Sequence, residues 1–208
     1  RQPGTNSSVY GSRKGLKVTQ DKRLLTSSPR SGTLRMVGEN GWIPLSTCFL
    51  HDSFLASHWD VVEEGAARSG RKPSRSEWRI SREVYVTDDG AKAREDVLNG
   101  PIGRFFVDYW IPLLGNNPVG LAALKHDPEM PDEELTPEYM LEHFWIVGDP
   151  DECAEKIARL YKEVGGFGTL LPLCHDWEED RPKWLRSLEL LAKDVIPAVE
   201  KEIEGAVA

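Results

Sequence analysis

Cysteine is scarce in this chain: Cys48, Cys153 and Cys174 are the only three in 208 residues, and no two form a Cys-x-x-Cys pair. That excludes a disulfide framework, argues against a structural zinc site and fits a reducing cytoplasm. No apolar run approaches the roughly 20 residues of a membrane helix, and no hydrophobic signal segment opens the chain. No role at a membrane is therefore expected. Positive charge is short too, with 26 Lys and Arg against 34 Asp and Glu, net -8, which makes nucleic acid an unsuitable partner. His-Glu-x-x-His is missing, and His51 and His58 stand seven apart rather than the four of a helical metal pair. No metal site is expected.

What is present reads as one soluble α/β unit. Apolar residues make up 39% and charged residues 29%, ordinary values for a globular chain. Residues 1–22, rich in Gly, Ser, Lys, Arg and Gln, read as a poorly ordered lead-in. From residue 23, strand and helix patterns alternate. Arg23–Thr26 is a short strand, a helix runs to about Glu39, and Trp42–Ser46 is a buried strand. In the helix expected over about 52–69, Leu55, Trp59, Val62 and Ala66 make one apolar stripe. Trp78–Val86 alternates as a single strand, and Asp88 or Asp89 caps the helix after it. Residues 101–144 interrupt this pattern with an aromatic cluster and an acidic, proline-punctuated loop. This insertion is read as a lid or pocket wall, or as a helix that packs on a dimer partner.

The best-marked stretch is Trp145 to Leu171. Asp149 is suited to N-cap a helix, Pro150 to its first position and Glu152 to close a capping box. Cys153, Ile157, Leu160 and Val164 form the buried stripe, and Gly165-Gly166 is the stop. Phe167–Leu173 reads as a strand buried on both faces. In the last helix Trp184, Leu188, Leu191 and Val195 are expected on one side, with Pro197 bending or ending it. About five strands alternate with amphipathic helices, so the sheet is expected to be parallel.

Several of these segments, taken in order, resemble the C-terminal half of the bacterial-luciferase-like flavin-dependent monooxygenases, in the limonene-monooxygenase-like branch. They are Ser28-Pro-Arg-Ser-Gly32, Gly38-Glu-Asn-Gly41, Trp78–Val86 with Ala91–Asp96, Trp145–Leu171, His175-Asp-Trp177, and Arg186–Leu191 with Ile196-Pro197. The resemblance implies a (β/α)8 barrel of TIM type. A full barrel takes roughly 250 residues, so residues 23–208 are expected to be an incomplete one, with about five of eight strands, and the chain is expected to be a fragment. The implied activity is that of an oxidoreductase: reduced FMN from a separate flavin reductase, together with O2, oxygenates a small apolar substrate. A deazaflavin-dependent oxidoreductase on the same fold is the first alternative. A non-catalytic flavin-binding or assembly module is the second, because open sheet edges seek a partner and favour a homo-oligomer.

Site candidates follow from position. The loop Ser27–Thr33 opens a helix whose N–H groups and dipole suit a phosphate. Hydroxyls of Ser28, Ser31 and Thr33, the bare backbone of Gly32 and the charge of Arg30 could hold it, and in the family the corresponding loop holds the FMN phosphate. A simple helix cap is the plain alternative. His175 and Trp177 follow the last strand, where such barrels place their chemistry; His175 is the candidate proton donor and Trp177 a pocket residue. Cys48 and His51 follow strand 42–46 by the same geometry. Phe105, Phe106, Tyr109 and Trp110 are read as core packing, with an apolar pocket wall as the alternative. His126 and His143 are expected at the surface.

Overall fold

The computed structural model describes residues 23–26, 30–48, 50–116 and 120–207; the lead-in 1–22 and Ser28 lie outside them. β1 (Arg23–Thr26), α1 (Gly32–Asn40), β2 (Ile43–Ser46) and α2 (Asp52–Arg68) come first. β3 (Arg79–Arg82), β4 (Val84–Val86) and α3 (Gly90–Asn99) follow, then α4 (Pro101–Phe105), a π-helical turn Phe106–Trp110 and α5 (Ile111–Gly115). The chain continues through α6 (Pro137–His143), β5 (Ile146–Gly148), α7 (Pro150–Glu163) and β6 (Thr169–Pro172). It closes with α8 (Arg181–Leu190), a π turn Leu191–Val195 and α9 (Ile196–Val207). Every strand pairing is parallel, and the alternation is that of an incomplete (β/α)8-type barrel. Among the described residues no helix is long and apolar enough to cross a membrane.

The boundary residues act as their chemistry requires. Gly41 ends α1 in the left-handed region at φ 67°, and the Asp149 capping box on α7 is complete, with Pro150 in the first turn. Asp89 caps α3 by accepting from the N–H groups of Ala91 and Lys92. The α2 stripe Leu55, Trp59, Val62 and Ala66 is buried as expected. α1 lies against α2 because Gly38 and Gly65 carry no side chain; a Cβ on either would run into the Val62 or Arg35 carbonyl.

Three expectations are corrected. The strand expected over 78–86 is interrupted at Glu83: β3 pairs with β2 and β6 in the order β1-β2-β3-β6, whereas β4 pairs with β5 in a separate ladder. β6 is only half-buried along its length, because it is the last strand of its order and has one strand neighbour. On α8, Leu188 is exposed and Ser187 is buried in its place, with its Oγ accepting from Val86 N at 2.8 Å. That hydroxyl satisfies a strand N–H that no neighbouring strand reaches.

Pro197 does not end the last helix; a π turn precedes it, and α9 continues through it. Pro112 is accommodated in the same way. In each case the Ile before the proline donates its N–H five residues back, Ile111 to Phe106 O and Ile196 to Leu191 O. Proline lacks the N–H that an α-helix needs and crowds the carbonyl four residues earlier, and the wider turn relieves both problems.

Strand residues alternate faces, and the interrupted strand 79–86 has a core on each side. Trp78, Ile80, Val84 and Val86 join α2, α7 and the C-terminal helices in one cluster. Tyr85 joins Phe106, Leu124, Met140, Trp145 and Trp177 in the other.

Candidate active site

The N-terminus of α1 carries the first candidate. Ser31 caps it, its Oγ accepting from Thr33 N at 3.1 Å, and no acidic residue stands in the first turn. Among the described residues nothing lies within 4 Å of where a Gly32 Cβ would be. Arg30 takes the left-handed conformation at φ 47°, and it and Arg35 both hydrogen-bond Glu64, at 2.5 and 3.1 Å. Those two donations hold the Glu64 carboxyl below the usual range. Two cations share one carboxylate beside a helix N-terminus with no acidic residue in its first turn, an arrangement that attracts an anion.

The second candidate is a cavity of about 960 Å³ between the α4 end of the insertion and the loop after β6, walled by Phe105, Tyr109, Trp110, Arg104, His175 and Asp176 among others. Phe105 stacks on Tyr109 and meets Trp110 and His175 edge-on. The His175 side chain is 6% exposed, and burial pushes its pKa down, so at neutral pH the imidazole is neutral. Its Nε2 lies 3.9 Å from Glu83 Oε1. Glu83 sits at the break between β3 and β4 and is fully buried; burial drives its carboxyl up to about 7. The Cys48 thiol hydrogen-bonds Glu83, and burial raises the thiol pKa as well, so Cys48 is a neutral donor rather than a thiolate. Glu83 Oε2 and His175 Nε2 have no hydrogen-bond partner. A second cavity of about 10 Å³ adjoins Glu83, Cys48 and Trp110, the size of roughly one water.

Of the residues chosen from sequence, His175 and Cys48 meet through Glu83. Trp177 borders the large cavity, yet it is 4% exposed and lies stacked between Tyr85 and Trp184, with ring centroids 4.7 and 6.1 Å away. His51 stands elsewhere. It caps α2, accepting from Ser53 N, and its ring lies near His126. His126 in turn stacks on His143 and Tyr139, so these histidines form a side-chain cluster in which His126 is exposed and His51 and His143 are half-buried. Among the described residues no group of three His, Cys, Asp or Glu could hold a metal ion. The aromatic segment divides: Phe106 belongs to the core, and Phe105, Tyr109 and Trp110 line the cavity. Glu83 is the residue that sequence reasoning missed; beside Arg82 in a strand that also carries Arg79 and Ser81, its carboxylate gave no signal of its own.

Comparison with known proteins gives consistent matches. The family model described as "Luciferase-like monooxygenase" matches residues 25–166. The 3,6-diketocamphane 1,6-monooxygenase of Pseudomonas putida is 33% identical over 172 residues, covering 83% of this chain and 45% of the relative. Limonene 1,2-monooxygenase of Rhodococcus erythropolis is 32% identical over 143 residues, covering 69% and 34%. Among solved structures, the oxygenating constituent of 3,6-diketocamphane monooxygenase from Pseudomonas putida, a type II Baeyer-Villiger enzyme in complex with FMN, superposes with a TM-score of 0.79 at 32% identity, covering 85% of this chain and 48% of that one. The coenzyme F420 dependent tetrahydromethanopterin reductase of Methanopyrus kandleri, at TM-score 0.52 and 24% identity, shares the fold. The chain thus spans about half the length, or less, of the relatives it matches.

Proposed function

This chain belongs to the luciferase-like monooxygenase family, and on that premise we propose that it serves a flavin-dependent monooxygenase in which reduced FMN and O2 oxygenate a small apolar organic molecule. The observation that carries the reading is the aromatic-walled cavity of about 960 Å³ with one imidazole on its wall. Its size and the Phe105, Tyr109 and Trp110 side of its wall suit an apolar ligand, with Arg104, Asp108 and Asp176 facing that side. FMN fits the chain's own residues. The open space over Gly32, the surplus cation of the Arg30–Arg35–Glu64 group and the acid-free first turn of α1 are what a phosphate monoester needs. In this reading Arg30, Ser31, Gly32 and Thr33, with Ser28, hold the phosphate. The flavin, reduced by a separate reductase, supplies the oxygen activation. The protein's share is to bind, to exclude water from the cavity and to move protons at His175. Cys48 and Trp177 support that wall, and His51 acts at one remove by capping α2. Free Cys48, Cys153 and Cys174 support a reducing, cytoplasmic setting, and the exposed Leu185, Leu188 and Ile196 support self-association.

Titrating the purified chain with FMN, while following flavin fluorescence and particle mass, tests this. Saturable binding that weakens about tenfold, or ~1.4 kcal/mol, in Arg30→Ala combined with Ser31→Ala is the expected result. Dimerisation with no FMN binding points instead to a non-catalytic assembly module. Preference for a deazaflavin over FMN points to hydride transfer on the same fold.

A further inference from the structure

Glu83 has no role in the reading above, yet its placement is costly. A carboxyl sealed from water must find partners or lose its charge. Its donors are its own backbone N–H and the weak Cys48 thiol, and Oε2 is left without any hydrogen bond. A position that only filled space would be served by Met with none of this cost. The neighbouring side chain that matches it is His175, whose Nε2 is also sealed and unpartnered and lies 3.9 Å away. A closure of about 1 Å brings that pair within hydrogen-bond range. The imidazole lines the large cavity, and Glu83 borders the small one.

We propose that Glu83 is the positioning residue of His175: it holds the imidazole at the cavity wall and exchanges one proton with it, so that the two titrate as a single acid-base unit. In the forward step the Glu83 O–H bond breaks and an Nε2–H bond forms, and the imidazolium gives its Nδ1 proton to a basic group in the cavity. The pair is restored by taking up one proton from solvent. The use of this unit in turnover rests on the monooxygenase reading; its existence does not.

Burial raises the pKa of Glu83 to about 7 and lowers that of His175, so in the resting pair the proton stays on Glu83 and the imidazole faces it as the neutral acceptor. The other ionisable groups around the pair are Cys48 on the β2–α2 loop and Arg82 on the same strand. Across the cavity stand Arg104 of α4 and Asp108 of the π turn that follows it, and Asp176 with the acidic residues 178–180 on the loop of His175 itself.

The test is a pH titration of the flavin-free full chain by NMR, reading the His175 ring nitrogens and the Glu83 side-chain carboxyl carbon. Coupled behaviour, with each resonance showing both steps, is expected. Glu83→Gln removes the group that titrates near 7, so the His175 ring nitrogens should lose their upper step and keep a single lower one. If Glu83→Gln fails to fold, His175→Gln gives the reciprocal reading: the Glu83 carboxyl carbon loses its lower step. A His175 profile that keeps its shape in Glu83→Gln, or a Glu83 profile that keeps its shape in His175→Gln, overturns the proposal. FMN titration of the same samples separates the two ideas. Coupling without FMN binding removes the flavin reading alone, and FMN binding without coupling removes the pair alone.

Discussion

Arg82 and Glu83 are consecutive, both buried and treated in opposite ways. Arg82 turns toward the start of α2, where its guanidinium donates to Leu50 O and Asp52 Oδ1 at 2.9 and 2.6 Å and reaches Thr47 O and Ser81 O. The surrounding polar groups are similarly occupied. Ser46 Oγ accepts from Trp78 Nε1 at 2.9 Å and meets His58 Nδ1 at 2.8 Å. Glu83, on the opposite face, has only its own backbone N–H and the weak Cys48 thiol as donors, and one oxygen has no hydrogen-bond partner. The contrast separates two uses of a buried charge. A fully satisfied one fixes a loop to a sheet, whereas an under-satisfied acid beside a cavity is held neutral and ready to change state.

The comparison can be broken first at Arg82. Arg82→Met leaves Asp52 and three carbonyls without their donor, and breaking such a pair costs about 3–5 kcal/mol. Urea denaturation should show that loss, and a change under 1 kcal/mol would deny Arg82 its structural role. Glu83 gives the opposite sign. Its folded-state constant, about 7, lies above the ordinary carboxylate value of 4.5. Its contribution to stability is therefore complete below pH 4.5 and lost as pH rises through 7. The wild-type chain should lose on the order of 3 kcal/mol between pH 4.5 and pH 8, and Glu83→Gln should flatten that part of the profile. A parallel decline in both proteins would assign it to other groups. Ser46→Ala sharpens the satisfied side, because it strands Trp78 Nε1 and His58 Nδ1 for a cost of about 1–3 kcal/mol, measurable by thermal melting. Ser187→Ala is the smallest step. It removes the acceptor of Val86 N for about 1 kcal/mol, and faster amide exchange at Val86 would report it.

Much of the fold was legible because it is written in local rules. The capping box of Asp149 and Glu152, the glycine stops at 41 and 165–166 and the α2 stripe depend only on near neighbours, and all are present as read. The division of strand 78–86 was not legible, since periodicity shows which face a residue takes but not which neighbour a strand chooses. Ser187 was missed for a related reason: its partner lies 101 residues away. In the site, position after a strand led to His175, but Arg82 and Glu83 together read as an ordinary polar pair. Only the cores on both faces reveal that neither reaches water.

The π turn at Phe106–Trp110 has a consequence for how the cavity wall could be altered. Such a turn is, in effect, one residue more than the α-helix requires. Removing a single residue there would rewind the segment and turn everything upstream by about 100° relative to Pro112. Phe105 would then swing off the wall it shares with His175, with no side chain substituted. For anyone redesigning this protein, the reach of the cavity is set by the phase of one helix, and a deletion is a finer tool for it than any substitution.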